Sequence, residues 1–234
     1  MSRAGEPERI RQSAGYYDQM FDKGGYGGVY DLPYWHSGYL PLFRGVLGEL
    51  RRLGSRSVLE VGCGTGAFAH LLMDRTTVPY MGFDFSAVAV EKARERTGNA
   101  GVFFVGDACN RASYLHPYDT IVCTEVLEHV EDDLGAVANW QTGAKCVCSV
   151  PNFDAESHVR FFRDEKEVLA RYGDQIAIRQ IARIRKPALP DISWRSYARA
   201  LRWYRYRPGQ LLAVLGVGSF EQLGGWFLFS GEKR

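Results

Sequence analysis

The stretch VLEVGCGTG at residues 58–66 decides the fold of this chain. A short run rich in apolar residues is followed at once by three glycines at alternating positions. Such a run is typical of a buried strand, and the glycines let the backbone turn sharply and let a ligand approach it closely. The stretch predicts a strand over residues 56–61, a ligand-binding turn over residues 62–66 and a helix over residues 67–73.

The same alternation continues along the chain. We predict further strands over residues 78–83, 102–105, 118–123 and 145–150, and helices over residues 40–53, 87–96 and near 132–140. Strands that alternate with short helices predict βαβ units, a parallel sheet and right-handed crossovers. Ligands of such sheets bind beyond the carboxyl ends of the strands, so the residues that follow each strand are the candidates for chemistry.

The composition excludes several classes of protein. The chain has 234 residues, of which 46% are hydrophobic, so one packed domain is expected without help from disulfides or a metal. No uncharged apolar run is long enough for a membrane-spanning helix, and the first residues, MSRAGEPERIRQ, lack the apolar core of a secretory signal. The five cysteines show no CxxC or zinc spacing, which predicts reduced thiols in a cytoplasmic protein.

The first glycine turn permits two cofactor classes. Gly62, Gly64 and Ala67 satisfy the GxGxxA pattern of dinucleotide-binding enzymes, so a nicotinamide dehydrogenase has to be considered. Glu60 argues against it, because an acid two residues before the first glycine suits a ligand amine better than a pyrophosphate. The GxGxG spacing argues against it too, and the chain is short for a separate substrate domain.

Acidic residues follow the next two strands. Asp84 lies about 20 residues beyond the glycines, where a carboxylate can accept hydrogen bonds from both hydroxyls of a ribose. The alternative role for Asp84 is to cap the next helix. Ser86 is better placed for that role, which leaves Asp84 for a ligand. Asp107 could accept from an exocyclic amine such as that of adenine, or could simply stabilise a turn. Three such features at consecutive strand ends are far more specific than any one.

These motifs together resemble one family. VLEVGCGTG, the acid in MGFDFS, GDA and TEVLEHV are similar to class I S-adenosylmethionine-dependent methyltransferases over residues 56–184. The resemblance implies an α/β, Rossmann-like sheet of seven mostly parallel strands with helices on both faces and an antiparallel last strand, for which residues 225–231 are suited. The cofactor-binding residues that it implies are Tyr17, Glu60, Gly62, Cys63, Gly64, Gly66, Asp84, Phe85, Asp107, Ala108 and Thr124.

The resemblance also implies which part of the cofactor several of these residues bind. Glu60 and the turn at residues 62–66 would hold the methionine moiety, and Asp84 would bind the ribose. Asp107 and Ala108 would bind the adenine, on which Phe85 would pack.

The fourth strand leads into a candidate catalytic motif. Glu125, Glu128 and His129 form ExxEH and would converge on one face if the segment is helical. His158 begins HVRFF, which resembles the segment after the fifth strand of ubiquinone-biosynthesis O-methyltransferases, while ExxEH with a later histidine resembles the metal site of small-RNA 2′-O-methyltransferases. Two hypotheses follow: Glu125, Glu128, His129 and His158 bind a divalent metal such as Mg²⁺, or His129 or His158 acts as a general base, with Glu125 also catalytic.

The flanks of this core are unusual. We divide the chain into residues 1–53, an N-terminal lid and helical segment, and residues 54–234, the cofactor-binding domain with an insertion at about 186–215. Six of the 13 tyrosines fall between Tyr16 and Tyr39, in a segment whose glycines predict that it is too interrupted for a regular helix. A lid over the cofactor and the acceptor is predicted, and a loop packed on the outside of the sheet is the alternative.

The net charge of +2 conceals an asymmetry. Residues 160–207 contain 13 basic and 5 acidic side chains, a net charge of +8 that leaves −6 for the rest. This basic, aromatic segment could bind an anionic acceptor, a phosphorylated carrier, RNA or an acidic membrane, or its arginine stems could cover apolar surface. The leading hypothesis is methyl transfer to a hydroxyl of a small metabolite or natural product. The alternatives are N-methylation of a small molecule, 2′-O-methylation of RNA, and cofactor binding without catalysis.

Overall fold

The computed structural model describes residues 12–234. The first eleven residues of the predicted lid, and with them nearly all of the stretch considered for a leader sequence, lie outside the described residues. The strands are β1 Val58–Val61, β2 Tyr80–Asp84, β3 Val102–Val105, β4 Thr120–Cys123, β5 Lys145–Pro151, β6 Ile176–Arg185 and β7 Gly225–Lys233. The helices are α1 Ala14–Asp22, α2 Leu40–Arg52, α3 Ala67–Arg75, α4 Ala87–Arg96, α5 Asp133–Ala138, α6 Glu165–Tyr172, α7 Trp194–Tyr204, α8 Pro208–Val214 and α9 Phe220–Leu223.

The seven strands form one sheet in the order β3-β2-β1-β4-β5-β7-β6. The first five strands pair in parallel, and β7 is antiparallel to both β5 and β6. The predicted fold class is therefore confirmed. The order reverses direction at β1, since β2 lies on one side of it and β4 on the other, and a ligand site is expected at this switch point.

Apolar clusters cover both faces of the sheet. One contains Trp140, Tyr172 and Phe229, and the other packs Leu42 and Phe68 against the opposite face. β1 is buried along its whole length, as expected for a central parallel strand with helices on both sides. All five cysteines are free thiols, and no helix within residues 12–234 is both long and apolar enough to cross a bilayer.

Two segments differ from the sequence predictions. Residues 14–22 form helix α1, capped by the Ser13 hydroxyl, although the surrounding glycines predict irregular chain. Only Gly15 lies inside the helix, and the other glycines of this segment follow it in a turn. Strand β6 was not predicted because its sequence, IAIRQIARIR, places arginines on an exposed edge and shows no buried apolar run.

Asp119 joins the amino-terminal ends of the central strands. Its carboxylate accepts hydrogen bonds from the backbone N–H groups of Arg56 and Ser57 at 3.0 Å each and from Lys145 Nζ at 3.2 Å. Burial raises the pKa of Asp119, but these hydrogen bonds lower it further, to about 2. The Asp119 side chain thus links the residues just before β1 to the first residue of β5, and it directly precedes β4.

Replacing Asp119 should therefore destabilise the fold. Asp119→Ala should reduce the free energy of unfolding by about 1–3 kcal/mol, since it removes hydrogen bonds to a charged group. The folded pKa lies below the ordinary value of about 3.9, so this contribution is complete above about pH 4 and is lost as the pH falls through about 2. Denaturant titration of wild type and Asp119→Ala at pH 7 and at pH 2.5 measures this loss of unfolding free energy and its dependence on pH. The control is Asp174→Ala at an exposed aspartate, and equal losses in the two variants would contradict this role.

Candidate active site

A cavity of about 400 Å³ opens at the carboxyl ends of β1, β2 and β4. Its floor includes Glu60, the glycine turn and Asp84, and the N-terminal segment forms the opposite wall through Tyr17, Phe21 and Tyr30. The cavity thus lies at the switch point of the sheet, where the topology predicts a ligand site.

The turn after β1 has a conformation that requires glycine. Gly62 and Gly66 have φ angles of 68° and 74°, which side chains rarely adopt. A Cβ atom at Gly66 would also lie 2.9 Å from the backbone of Ala93 on α4, so the third glycine permits close packing of α3 against α4. The turn is therefore fixed both by its own backbone and by its neighbours.

Two buried acids face this turn. Asp84 accepts hydrogen bonds from Gly64 N at 3.0 Å and Ser86 N at 2.9 Å, and its burial raises its pKa to about 6. Burial raises the pKa of Glu60 to about 8, although Tyr80 donates a hydrogen bond of 2.5 Å to its carboxyl group. Ser86 also caps α4 by accepting from Ala89 N, as predicted.

Nine of the eleven predicted cofactor-binding residues line the cavity. They are Tyr17, Glu60, Gly62, Cys63, Gly64, Asp84, Phe85, Ala108 and Thr124. Gly66 does not, because it packs on α4, and Asp107 does not either. The Asp107 carboxylate accepts from Cys109 N at 2.8 Å, which is the turn-stabilising alternative considered from the sequence.

The N-terminal segment contacts both the cavity and the outside of α3. The centre of the Tyr17 ring lies 5.1 Å from that of Phe85 and 6.1 Å from that of His129, so Tyr17 contacts both of these cavity residues. Tyr34 instead packs against His70 and donates a hydrogen bond of 2.9 Å to Asp74 on α3. The part of the segment around Tyr17 therefore covers the cavity, whereas the part around Tyr34 packs as a loop against α3.

The predicted helical face at residues 125–129 was wrong. Glu125 has a left-handed backbone (φ 59°), and only Leu127–His129 form a single 3₁₀ turn. The spacing of three and four residues therefore does not place the three side chains on one helix face, although the carboxyl groups of Glu125 and Glu128 still interact. Glu125 lines the cavity, with its N–H donating to Ser149 Oγ at 3.2 Å, whereas Glu128 is fully buried behind the wall.

Glu128, His129 and His158 form a cluster whose candidate ligand atoms lie within 4.8 Å of one another. The four predicted ligands therefore divide into this group of three and Glu125, which lies outside it. Burial raises the pKa of Glu128 well above its ordinary range, and the charge of Glu125 raises it further. The carboxyl oxygens of Glu128 are buried without a well-formed hydrogen bond to any residue from 12 to 234.

Both histidines present Nε2 as the nitrogen with the lone pair. His129 Nδ1 lies 2.8 Å from Ser157 O and His158 Nδ1 lies 3.2 Å from Phe153 O; a carbonyl can only accept, so each Nδ1 carries the hydrogen. Burial lowers the pKa of His129, and burial together with the neighbouring His129 lowers that of His158 to about 4. The pair is therefore neutral at pH 7 and can accept a proton or bind a metal.

The basic late segment divides between the cavity and the surface. Lys186, directly after β6, lines the cavity, whereas α7 carries its arginines on the outside. Lys186 was not singled out from the sequence, since the strand that positions it was not predicted. Around α7 the largest exposed side chains are Trp194, Trp203 and Tyr206, at 75%, 73% and 82% exposure.

Comparison with known proteins assigns the family. The sequence profile described as "Methyltransferase domain" matches residues 34–210. A ubiquinone biosynthesis O-methyltransferase of Saccharophagus degradans is 28% identical over 102 residues, which are 42% of this chain and 43% of that protein. The chain thus matches less than half the length of this curated relative.

Solved structures share the fold at low identity. N-methyltransferase NodS of Bradyrhizobium japonicum, in complex with S-adenosylhomocysteine, is 17% identical with a TM-score of 0.56, over 83% of this chain and 87% of that one. The [4+2]-cyclase SpnF is 15% identical with a TM-score of 0.60, over 99% of each chain. With the profile match across most of its length, the chain belongs to the methyltransferase-domain family.

Proposed function

We propose that this enzyme transfers the methyl group of S-adenosylmethionine to a hydroxyl of a small metabolite or natural product. The observation that carries the choice of oxygen is the neutral histidine pair at the acceptor side of the cavity. A hydroxyl must lose its proton as the new bond forms, whereas a neutral amine does not need a base before attack. The O-methyltransferase relative agrees with this choice.

The reaction is an in-line displacement. The acceptor oxygen attacks the methyl carbon, the carbon–sulfur bond breaks, and the cofactor leaves as neutral S-adenosylhomocysteine. The hydroxyl proton passes to Nε2 of His129 or His158, which line the same cavity. The sulfonium is already a strong electrophile, so the chain mainly supplies orientation and a proton acceptor.

The cofactor half of the cavity has suitable groups for each part of S-adenosylmethionine. Glu60 would pair with the amino group, and Asp84 would accept from the ribose hydroxyls. The ring of Phe85 would pack on the adenine. Gly106 and Ala108, which also line the cavity, would lie beside the adenine. Binding the positively charged cofactor would offset the cost of burying these carboxylates.

The N-terminal segment would act as a cover for this site. α1 is held on α4 by Lys92 Nζ, which donates to Phe21 O at 2.6 Å, and Arg96 donates to Tyr30 O at 2.6 Å. Thr65, inside the glycine turn, donates to the same carbonyl at 2.8 Å. Closure over bound cofactor would exclude water from the reacting groups.

As an alternative to proton transfer to the histidines, a divalent metal such as Mg²⁺ would be held by Glu128, His129 and His158. Two imidazole nitrogens and one carboxylate form a recurrent metal-binding set, and each histidine is oriented by a backbone carbonyl on its other nitrogen. The buried oxygens of Glu128 also form no well-formed hydrogen bond within residues 12–234. A bound metal would lower the pKa of an acceptor hydroxyl.

A second candidate function is 2′-O-methylation of RNA. The surface around α7 favours it, because no acidic residue occurs between Asp191 and Glu221 and its exposed tryptophans could stack on bases. Binding of a short RNA should then weaken steeply between 50 and 200 mM salt, by roughly a thousandfold if six or more phosphates are contacted. Fluorescence anisotropy that shows no salt-dependent binding would remove this candidate.

The assignment of Asp84 predicts a pH-dependent affinity. Its pKa of about 6 means that it is mostly protonated at pH 5 and ionised at pH 7, so S-adenosylhomocysteine should bind roughly tenfold more tightly at pH 7. Asp84→Asn should weaken binding at pH 7 by about 10- to 100-fold and reduce this pH dependence. Calorimetric titration measures both, with the exposed α4 variant Glu91→Gln as control. Unchanged affinity in Asp84→Asn would contradict the assignment.

The metal assignment has its own test. Calorimetric titration of the S-adenosylhomocysteine complex with Mn²⁺ or Mg²⁺ should show one site, weakened at least tenfold in Glu128→Gln. Turnover should fall on addition of a chelator and recover when metal is restored. The exposed neighbour Glu156 supplies the matched control, Glu156→Gln. Absence of metal binding together with full activity in chelator would contradict the metal site and leave the histidines as proton acceptors.

A further inference from the structure

Lys186 places a positive charge at the mouth of the cavity. It is the first residue after β6, and its backbone N–H donates to Gly224 O at 3.0 Å. Its ammonium lies 4.3 Å from the centre of the Phe153 ring, which is itself part of the cavity wall. Backbone and side chain are thus both held at this edge of the site.

Lys186 forms no close ion pair with the described part of the chain. Within residues 12–234 no carboxylate lies within 4.0 Å of its Nζ, and Glu125 interacts with its charge only from a greater distance. Among those residues it is also the one lysine or arginine that lines the cavity, whereas three acids do so: Glu60, Asp84 and Glu125. A lone cation on an aromatic wall can attract a ligand anion without first breaking an existing pair.

The topology places Lys186 on the acceptor side. Three strands, β4, β5 and β7, lie between β1 and β6 in the sheet. At roughly 4.8 Å per interstrand spacing, the end of β1, where the glycine turn starts, therefore lies about 19 Å from the end of β6, where Lys186 follows. Phe153, which Lys186 covers, packs against His158, with ring centres 5.6 Å apart. The ammonium therefore lies beyond the histidine pair when viewed from the proposed cofactor groups.

We propose that Lys186 binds an anionic group of the methyl acceptor, a carboxylate or a phosphate, and so selects acidic acceptors. This rests on the proposed function and specifies the acceptor of the same site. The aromatic ring of Phe153, which lies beside Lys186 in the cavity wall, suits a flat ring that carries the anion. Positioning by the charge would direct a hydroxyl on that ring toward the histidine pair.

Benzoate and benzamide are matched probes, because they share one shape and differ in charge. In the presence of S-adenosylhomocysteine, benzoate should bind the wild-type protein at least tenfold more tightly than benzamide. Lys186→Met should weaken benzoate binding at least tenfold, and Lys186→Arg should keep it within about threefold, since arginine also pairs with carboxylates. Lys166→Met, on the exposed surface of α6, is the control.

The affinity for S-adenosylhomocysteine separates two roles of the lysine. It should stay within twofold in Lys186→Met, and a tenfold loss would overturn the inference by assigning the lysine to the cofactor carboxylate. Equal affinity for the two probes, no benzoate binding to wild type, or full benzoate binding by Lys186→Met would overturn it too.

Turnover separates this inference from the proposed function. Methylation of acidic hydroxyl compounds at equal rates in wild type and Lys186→Met would overturn the inference alone. Benzoate binding through Lys186 with methylation only of amines would instead overturn the proposed O-methylation.

Discussion

The hydrogen bond from Gly64 N to the Asp84 carboxylate is the contact on which the site depends. It ties the turn after β1 to the end of β2, at the place where the strand order reverses. The turn can form only because its glycines accept a left-handed backbone, and it leaves Glu60 and Asp84 at the floor of one cavity. The helices, the flanking strands and the N-terminal wall are arranged around this junction.

Buried carboxyl groups link the structure of the cavity to its chemistry. Glu60, Asp84 and Glu128 are at most 5% exposed, and burial raises the pKa of each. Burial thus disfavours their ionised forms in the empty site, and a cationic ligand that pairs with Glu60 or Asp84 favours ionisation again. A methyl donor with a sulfonium and an ammonium has the matching charge. On the opposite rim Lys186 reverses the sign, so the cavity offers separate surfaces to a cationic donor and an anionic acceptor.

The central sheet could be predicted because its strands are short, buried and punctuated by glycines and acids. Strand β6 could not, since it lies at the sheet edge and its alternating arginines leave no buried apolar run. Lys186 was missed with it, because its importance depends on the strand that carries it to the cavity. The geometry of ExxEH was also inaccessible from spacing, since the left-handed backbone of Glu125 prevents the regular helix that the spacing implies. Asp107 accepts a hydrogen bond within its own turn, and its role toward the adenine stays a prediction.

A crystal structure of the complex with S-adenosylhomocysteine tests the central claim most directly. The account predicts that the ribose hydroxyls lie within hydrogen-bond distance of Asp84 and the amino group near Glu60. The sulfur should point along the cavity toward His129 and His158, with space for an acceptor between it and Lys186. A ligand bound outside this cavity, or one whose sulfur faces away from the histidine pair, would contradict it.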